Sequence, residues 1–319
     1  MRSFRGLGLL AGTTAIAFAT LVIASPAAAA TLPDGQKITI VETIDGNDPP
    51  SGQFFDVNPA DAASTPVGTA PDEYITGLEV NDDGIGAAIG QLDSTSTIWT
   101  ADANTGMLSD PHPITTAGDV DLDDCGGIDL VNGTFIISCV EGGNIASHVG
   151  AVNPADGVFT SFLKLEGDDF VEFDALANDE KTAQLWGFSG DTDFSYTIDL
   201  EHDIVTPVAE MDDEVFAADF DRDGVLWVSS QVFRGELFVP ALAIANPATG
   251  VFSSVGPYVS TTTDAALIFV LALTIWGEPA LAATGASGAD FVPIGIGSVL
   301  LLLAGAAFIA TARVNRRSA

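Results

Sequence analysis

Phe216-Ala217-Ala218-Asp219-Phe220-Asp221-Arg222-Asp223-Gly224-Val225-Leu226-Trp227-Val228-Ser229 reads as two short apolar strands folded about an acidic turn. Asp hydrogen-bonds the backbone two residues on, and Gly accepts the positive φ that closes a tight turn. Gly77–Val80, Asn81-Asp82-Asp83-Gly84 and Ile85–Ile89 repeat the pattern, and Asn132-Gly133 is the sharpest hairpin signal in the chain. A second turn recurs between these hairpins: Asn or Asp, often Pro, then a small residue and Gly. It appears as Asn58-Pro59-Ala60-Asp61, Asp102-Ala103-Asn104-Thr105-Gly106, Asn153-Pro154-Ala155-Asp156-Gly157, Asp199-Leu200-Glu201-His202-Asp203 and Asn246-Pro247-Ala248-Thr249-Gly250. Successive turns lie 44, 51, 46 and 47 residues apart.

Each period therefore holds four short strands joined by hairpins, the content of one β-propeller blade. No long segment of helical period interrupts the run. The expected fold is all-β, a propeller of five four-stranded blades. Inner strands should begin near Gly77, Gly127, Asp174 and Ala218. Asp264–Gly277 reads as a last inner pair without outer strands, or as one long buried strand, because it is apolar and has no Gly turn. The outer strands around Asn58 lack an inner pair, so the two halves should complete one blade and close the ring. Gln36–Ile44 is a strand this count leaves spare, which keeps six blades open. The run Asp221 to Ser229 resembles the YVTN-type and quinoprotein-like propellers, a likeness spanning roughly residues 50–277 that implies an architecture and no particular chemistry.

The chain has 319 residues, with 44 Asp and Glu against 10 Lys and Arg. Residues 31–284 hold 43 of those acids and five bases (Lys37, Lys164, Lys181, Arg222 and Arg234), a net charge of −38. Such a body repels phosphate backbones and anionic lipid, which excludes sequence-independent nucleic-acid binding. The apolar residues behind the positive mean hydropathy are concentrated at the two ends. Residues 1–30 carry Arg2 and Arg5, then a nearly uncharged run and Ala27–Ala30, the layout of a secretory signal cleaved near Ala30. Residues 291–312 are uncharged and long enough to span a bilayer, and the basic tail 313–319 keeps the C-terminus inside. The expected domains are thus 1–30, the repeat body 31–280, and a C-terminal segment 281–319.

Leu281-Ala282-Ala283-Thr284-Gly285, a short spacer, the apolar span and the basic tail together resemble a Gram-positive cell-wall sorting signal of the LPxTG kind, here in an LAxTG form associated with high-GC actinobacteria. The resemblance implies sortase cleavage after Thr284, transfer to peptidoglycan, and an extracellular, wall-anchored body. The membrane is then contacted only through the span before sorting.

Cys125 and Cys139 flank the Asn132-Gly133 hairpin on adjacent strands, and export favours their oxidation to a disulfide. Asp219-Phe220-Asp221-Arg222-Asp223-Gly224 matches the first half of a calcium loop, but Ser230 stands where the bidentate Glu belongs, so a hairpin turn with solvated aspartates is the reading. The remaining acids cluster before each inner strand: Asp72 and Glu73; Asp121, Asp123 and Asp124; Asp168, Asp169 and Glu172; Asp212, Asp213 and Glu214; and Asp264. In a propeller these connections emerge on one face. Asp123, Asp124, Asp168, Asp169, Asp212, Asp213 and Asp264 are therefore the candidate ligands for a divalent cation, calcium above all, or for a cationic ligand at an acidic channel mouth. No other cofactor is expected. Nucleophile elbow, zinc-protease and P-loop motifs are all absent, and His112, His148 and His202 fall in separate repeats without evident partners. The reading leans to a non-catalytic binding module for an unidentified surface ligand. A propeller hydrolase or lyase with its site in the acidic channel is the alternative.

Overall fold

The computed structural model describes residues 31–277 apart from 45–50, 69–72, 117, 119, 235–236, 264–266 and 268. The signal segment, Leu281–Gly285, the apolar span and the basic tail lie outside the described residues, as does Asp264.

The repeats form five sheets, each with four antiparallel strands, and short parallel strands Thr115–Thr116 and Val259–Ser260 add to the outer edges of two of them. Blade 1 comprises Tyr74–Val80, Ile85–Leu92, Thr95–Asp102 and Met107–Pro113, and blade 2 Leu122–Val131, Thr134–Glu141, Ala146–Val152 and Val158–Glu166. Blade 3 comprises Ala175–Asp179, Gln184–Ser189, Phe194–Asp199 and Ile204–Glu210, and blade 4 Val215–Phe220, Leu226–Arg234, Leu237–Ala245 and Phe252–Pro257. Blade 5 joins the two ends of the body: Val270–Trp276 is its inner strand, followed outward by Lys37–Ile44, Ser51–Val57 and Ala63–Val67. The apolar C-terminal stretch is thus one strand, and the spare N-terminal strand lies second in the closing blade, with Ile38 opposite Ile275. Each inner strand touches the inner strands on both sides, so the ring is closed with five blades.

The recurrent turn works as its chemistry demands. Asn58, Asp102, Asn153, Asp199 and Asn246 each accept, through Oδ1, the backbone N–H two residues on, at 2.9–3.1 Å. The same turn also docks against the preceding blade. Gly106, Gly157 and Gly250 have φ of 67°, 70° and 74°, and a Cβ at each would overlap the carbonyl oxygen of Val67, Pro113 and Glu210, the last residues of the preceding blades' outer strands. Asp212 N–H then donates to Gly250 O at 2.9 Å and Thr115 N–H to Gly157 O at 3.0 Å. Gly250→Ala should therefore destabilise by at least about 2 kcal/mol, through both strain and overlap. Gly133→Ala, at φ 76° with nothing within 4 Å of the new methyl, should cost only about 1 kcal/mol. Urea denaturation of the two variants checks this, and equal losses would refute the docking account.

Blades pack face to face through apolar residues. Trp99, Trp227 and Trp276 are buried there, as packing residues. Cys125 and Cys139 sit opposite one another on the two innermost strands of blade 2 and form a disulfide.

Candidate functional site

The inner strands do not run smoothly along the channel. In blades 1, 4 and 5 each carries one extra residue relative to its partner strand: Thr76, Phe216 and Leu271. Blade 2 has an irregularity at Gly126 and Gly127, opposite Ser138. A bulge re-aims the side chain it carries, and Thr76, Phe216 and Leu271 all face the channel, joined by Asp174 just before the inner strand of blade 3. Below this layer Leu78, Ile128, Leu176 and Leu273 narrow the channel to a waist of about 10 Å³. That is room for one water at most, so the channel is two separate mouths.

The upper mouth, where the inner strands begin, is a cavity of about 210 Å³. Asp124, Glu172 and Asp174 supply its charge, Tyr74, Phe173 and Phe216 its aromatic wall, and among the described residues no basic side chain lines it. Burial pushes the Glu172 carboxyl up to about 7, helped by the charges of Asp174, Asp191 and Asp124. Burial also raises Asp124 and Asp174, opposed in Asp174 by the Gly190 N–H, which donates to Oδ2 at 2.6 Å. Glu214 is raised by burial and then by Asp174, Asp193 and Asp191. The acidic mouth expected from sequence is present, built from fewer of the expected residues.

Of the six sequence-derived candidates among the described residues, only Asp124 lines this cavity. Asp123 turns away and accepts Gly143 N–H at 3.3 Å. Asp168 and Asp169 lie in the short 3-10 turn Gly167–Asp169 and border an outer groove with Phe162, Tyr196 and Ile204. Exposed Asp212 accepts Phe252 N–H at 3.3 Å, and half-buried Asp213 adds charge beside Glu214. Asp174 was overlooked as a ligand because it sits at the strand's start and not in the acidic run before it.

The lower mouth, a cavity of about 200 Å³, holds a feature that sequence reasoning missed. Each inner strand places one polar residue between two others at the same step: Glu79, Asp129, Asn178, Asp219 and Thr274. They are cross-linked from blade to blade. Asn178 N–H donates to Asp129 Oδ2 at 2.6 Å, Ile275 N–H to Asp219 Oδ2 at 2.5 Å, and Thr274 Oγ1 to Glu79 Oε2 at 3.2 Å. Glu79, Asp129 and Asp219 are 7 %, 4 % and 7 % exposed. Burial, and then the carboxylates facing them, push Glu79 and Asp219 well above the usual range, and burial lifts Asp129 to about 7. Arg222 lines this cavity but is bound to Asp82 at 2.9 Å. The signal was a polar residue after each inner apolar pair, an acid or amide in four blades and Thr274 in the fifth, camouflaged by the acidic turns beside it. Asp219 and Asp221 belong to the half-loop that resembles a calcium site. The segment is a hairpin turn, as read, but these two aspartates are buried and not solvated. Asp221 Oδ1 accepts Asp223 and Val225 N–H, and Oδ2 accepts Trp227 Nε1–H at 3.1 Å. Among the described residues, no three His, Cys, Asp or Glu side chains converge as a ready-made metal site.

Two histidines have partners the sequence did not reveal. His202 Nδ1 lies 2.8 Å from Asp199 Oδ2. His148 bridges Ser161 Oγ at 3.0 Å and Glu141 Oε2 at 3.3 Å, across three strands of blade 2. Ser161 Oγ also donates to Leu163 O at 3.1 Å. Lys164 further ties Glu141 to Glu166.

No family model matches this chain, and no curated protein matches its sequence. Solved structures similar in shape include a nidogen/laminin complex, at 11 % identity and TM-score 0.48 over 76 % of this chain and 98 % of that one. TolB from Acinetobacter baumannii aligns at 12 % identity and TM-score 0.43, over 69 % of this chain and 52 % of that one. An oligogalacturonate lyase in complex with manganese aligns at 12 % identity and TM-score 0.36, over 57 % of this chain and 51 % of that one. The chain thus spans about half the length of the latter two. At these identities and scores the likeness carries no argument, and the chain is placed as a five-bladed β-propeller by its own architecture.

Proposed function

We propose that this chain is an exported surface protein whose propeller is a non-catalytic binding module, taking a cationic ligand at the upper mouth. The observation that carries the reading is the cavity in which Asp124, Glu172 and Asp174 face one another with no basic side chain among the described residues lining it. Carboxylates so placed repel one another and are raised by their burial, and a bound cation relieves both costs. Calcium and organic cations are the two classes to test. Whichever binds there should raise the melting temperature by mass action, and the rise should vanish in Glu172→Gln. No shift with calcium or with any organic cation would refute the reading.

For anchoring, the sorting-signal resemblance at Leu281–Gly285 supports sortase transfer to peptidoglycan at Thr284. Mass spectrometry of protein released by wall digestion should find a C-terminus at Thr284 carrying a peptidoglycan stem peptide. An intact tail ending at Ala319 would refute it.

A further inference from the structure

We propose that the ligand class of the upper cavity is a primary alkylammonium, carried by a free amine or by a lysine side chain. This rests on the upper mouth being the module's working site. Three features of the cavity converge on that chemistry. Asp124, Glu172 and Asp174 supply negative charge and acceptors for the three N–H groups of an ammonium. Ser147 also lines the cavity, is 1 % exposed, and its hydroxyl has no hydrogen-bond partner among the described residues. A buried hydroxyl left unmade costs free energy, and a bound N–H donor would satisfy it.

The rest of the wall is apolar and aromatic: Phe173, Phe216 and Leu271, with the ring of Tyr74. Such a wall accepts the methylene stem of an alkylammonium and attracts the charge through the ring faces. A divalent metal would make no use of it. A metal also asks for several oxygens at once within about 2.6 Å, whereas no three carboxylates among the described residues converge in that way. The cavity, about 210 Å³, is far larger than a single ion or water needs, and the waist below it closes the floor. The bulge at Phe216 is what turns that ring into the channel, so charge and stem sites are set by different blades.

Calorimetric titration of the purified protein at neutral pH and physiological salt tests this with three probes: 1,4-diaminobutane, N-acetyl-lysine methylamide and calcium chloride. The expected result is single-site binding of at least one amine. It should weaken at least about tenfold in Glu172→Gln and in Phe216→Ala, and hold in Asp93→Asn, an exposed turn acid elsewhere. Binding of both amines identifies the bare ammonium as the determinant. Binding of the lysine derivative alone identifies a protein side chain, and of the diamine alone a free amine. Calcium binding without amine binding overturns the inference and leaves the cation-binding module standing. No binding of any probe overturns both. Equal weakening by Asp93→Asn and Glu172→Gln would reduce the effect to the general acidity of the surface and overturn the inference as well.

Discussion

Asp129→Asn should raise the stability of the propeller at pH 8 and flatten its dependence on pH. In the folded chain, burial lifts the Asp129 carboxyl to about 7, whereas in the unfolded chain it titrates near 4. Between those values the folded state holds a proton that the unfolded state has lost. Stability therefore falls as pH rises through that window, by about 1.4 kcal/mol per pH unit for each such group, and the loss is complete above the folded value. Glu79 and Asp219 are raised in the same direction and face Asp129 across the channel, with Glu180 adding to the repulsion. Among the described residues, the one cation lining the cavity, Arg222, is already bound to Asp82. The wild-type protein should thus be more stable near pH 5 than at pH 8. An Asn at position 129 keeps an oxygen for the Asn178 N–H and removes the charge. Its gain at pH 8 should reach a few kcal/mol and vanish near pH 4. Melting curves of both proteins across this range decide the matter. A wild-type melting temperature that rises toward pH 8, or an Asn variant less stable than wild type at pH 8, would refute it.

Removing the disulfide by Cys125→Ala with Cys139→Ala should cost about 3 kcal/mol, the loop-closure value for a short cross-link, and lower the melting temperature by roughly 6–12 °C in a domain of this size. Both residues are buried, so Ala avoids leaving two unpaired hydroxyls as Ser would. The effect should also reach the upper mouth. Asp124 and Gly126 flank Cys125, and Cys139 itself lines the cavity, so ligand-induced stabilisation should shrink with the bridge. Calorimetry with and without reductant gives both readings, and a melting temperature unchanged by reduction would refute the first.

The fold was legible because its signals are local. An Asx turn needs only its own four or five residues, so the five recurrences announced the blades. The disulfide followed from the hairpin between its cysteines in the same way. The closing blade was legible in outline only. Which strand joins the two ends is set by pairing over more than two hundred residues, Ile38 with Ile275, and no local pattern encodes that partner. The site was less legible still. Acid clusters at Asp168 and Asp212 obey the repeat but point outward, because clustering before a strand does not fix which residue turns inward.

By itself, then, the sequence determined the blade count to within one and the acidic character of the body. The tertiary structure decided which carboxylates meet. Bulges at Thr76, Phe216 and Leu271 rotate side chains into the channel, and closure of the ring brings Glu79, Asp129 and Asp219 together from strands as much as 140 residues apart. The physical reason is the range of the interactions. Turn chemistry acts within a few residues, whereas burial and charge repulsion depend on distances in space that exist only once the ring has closed.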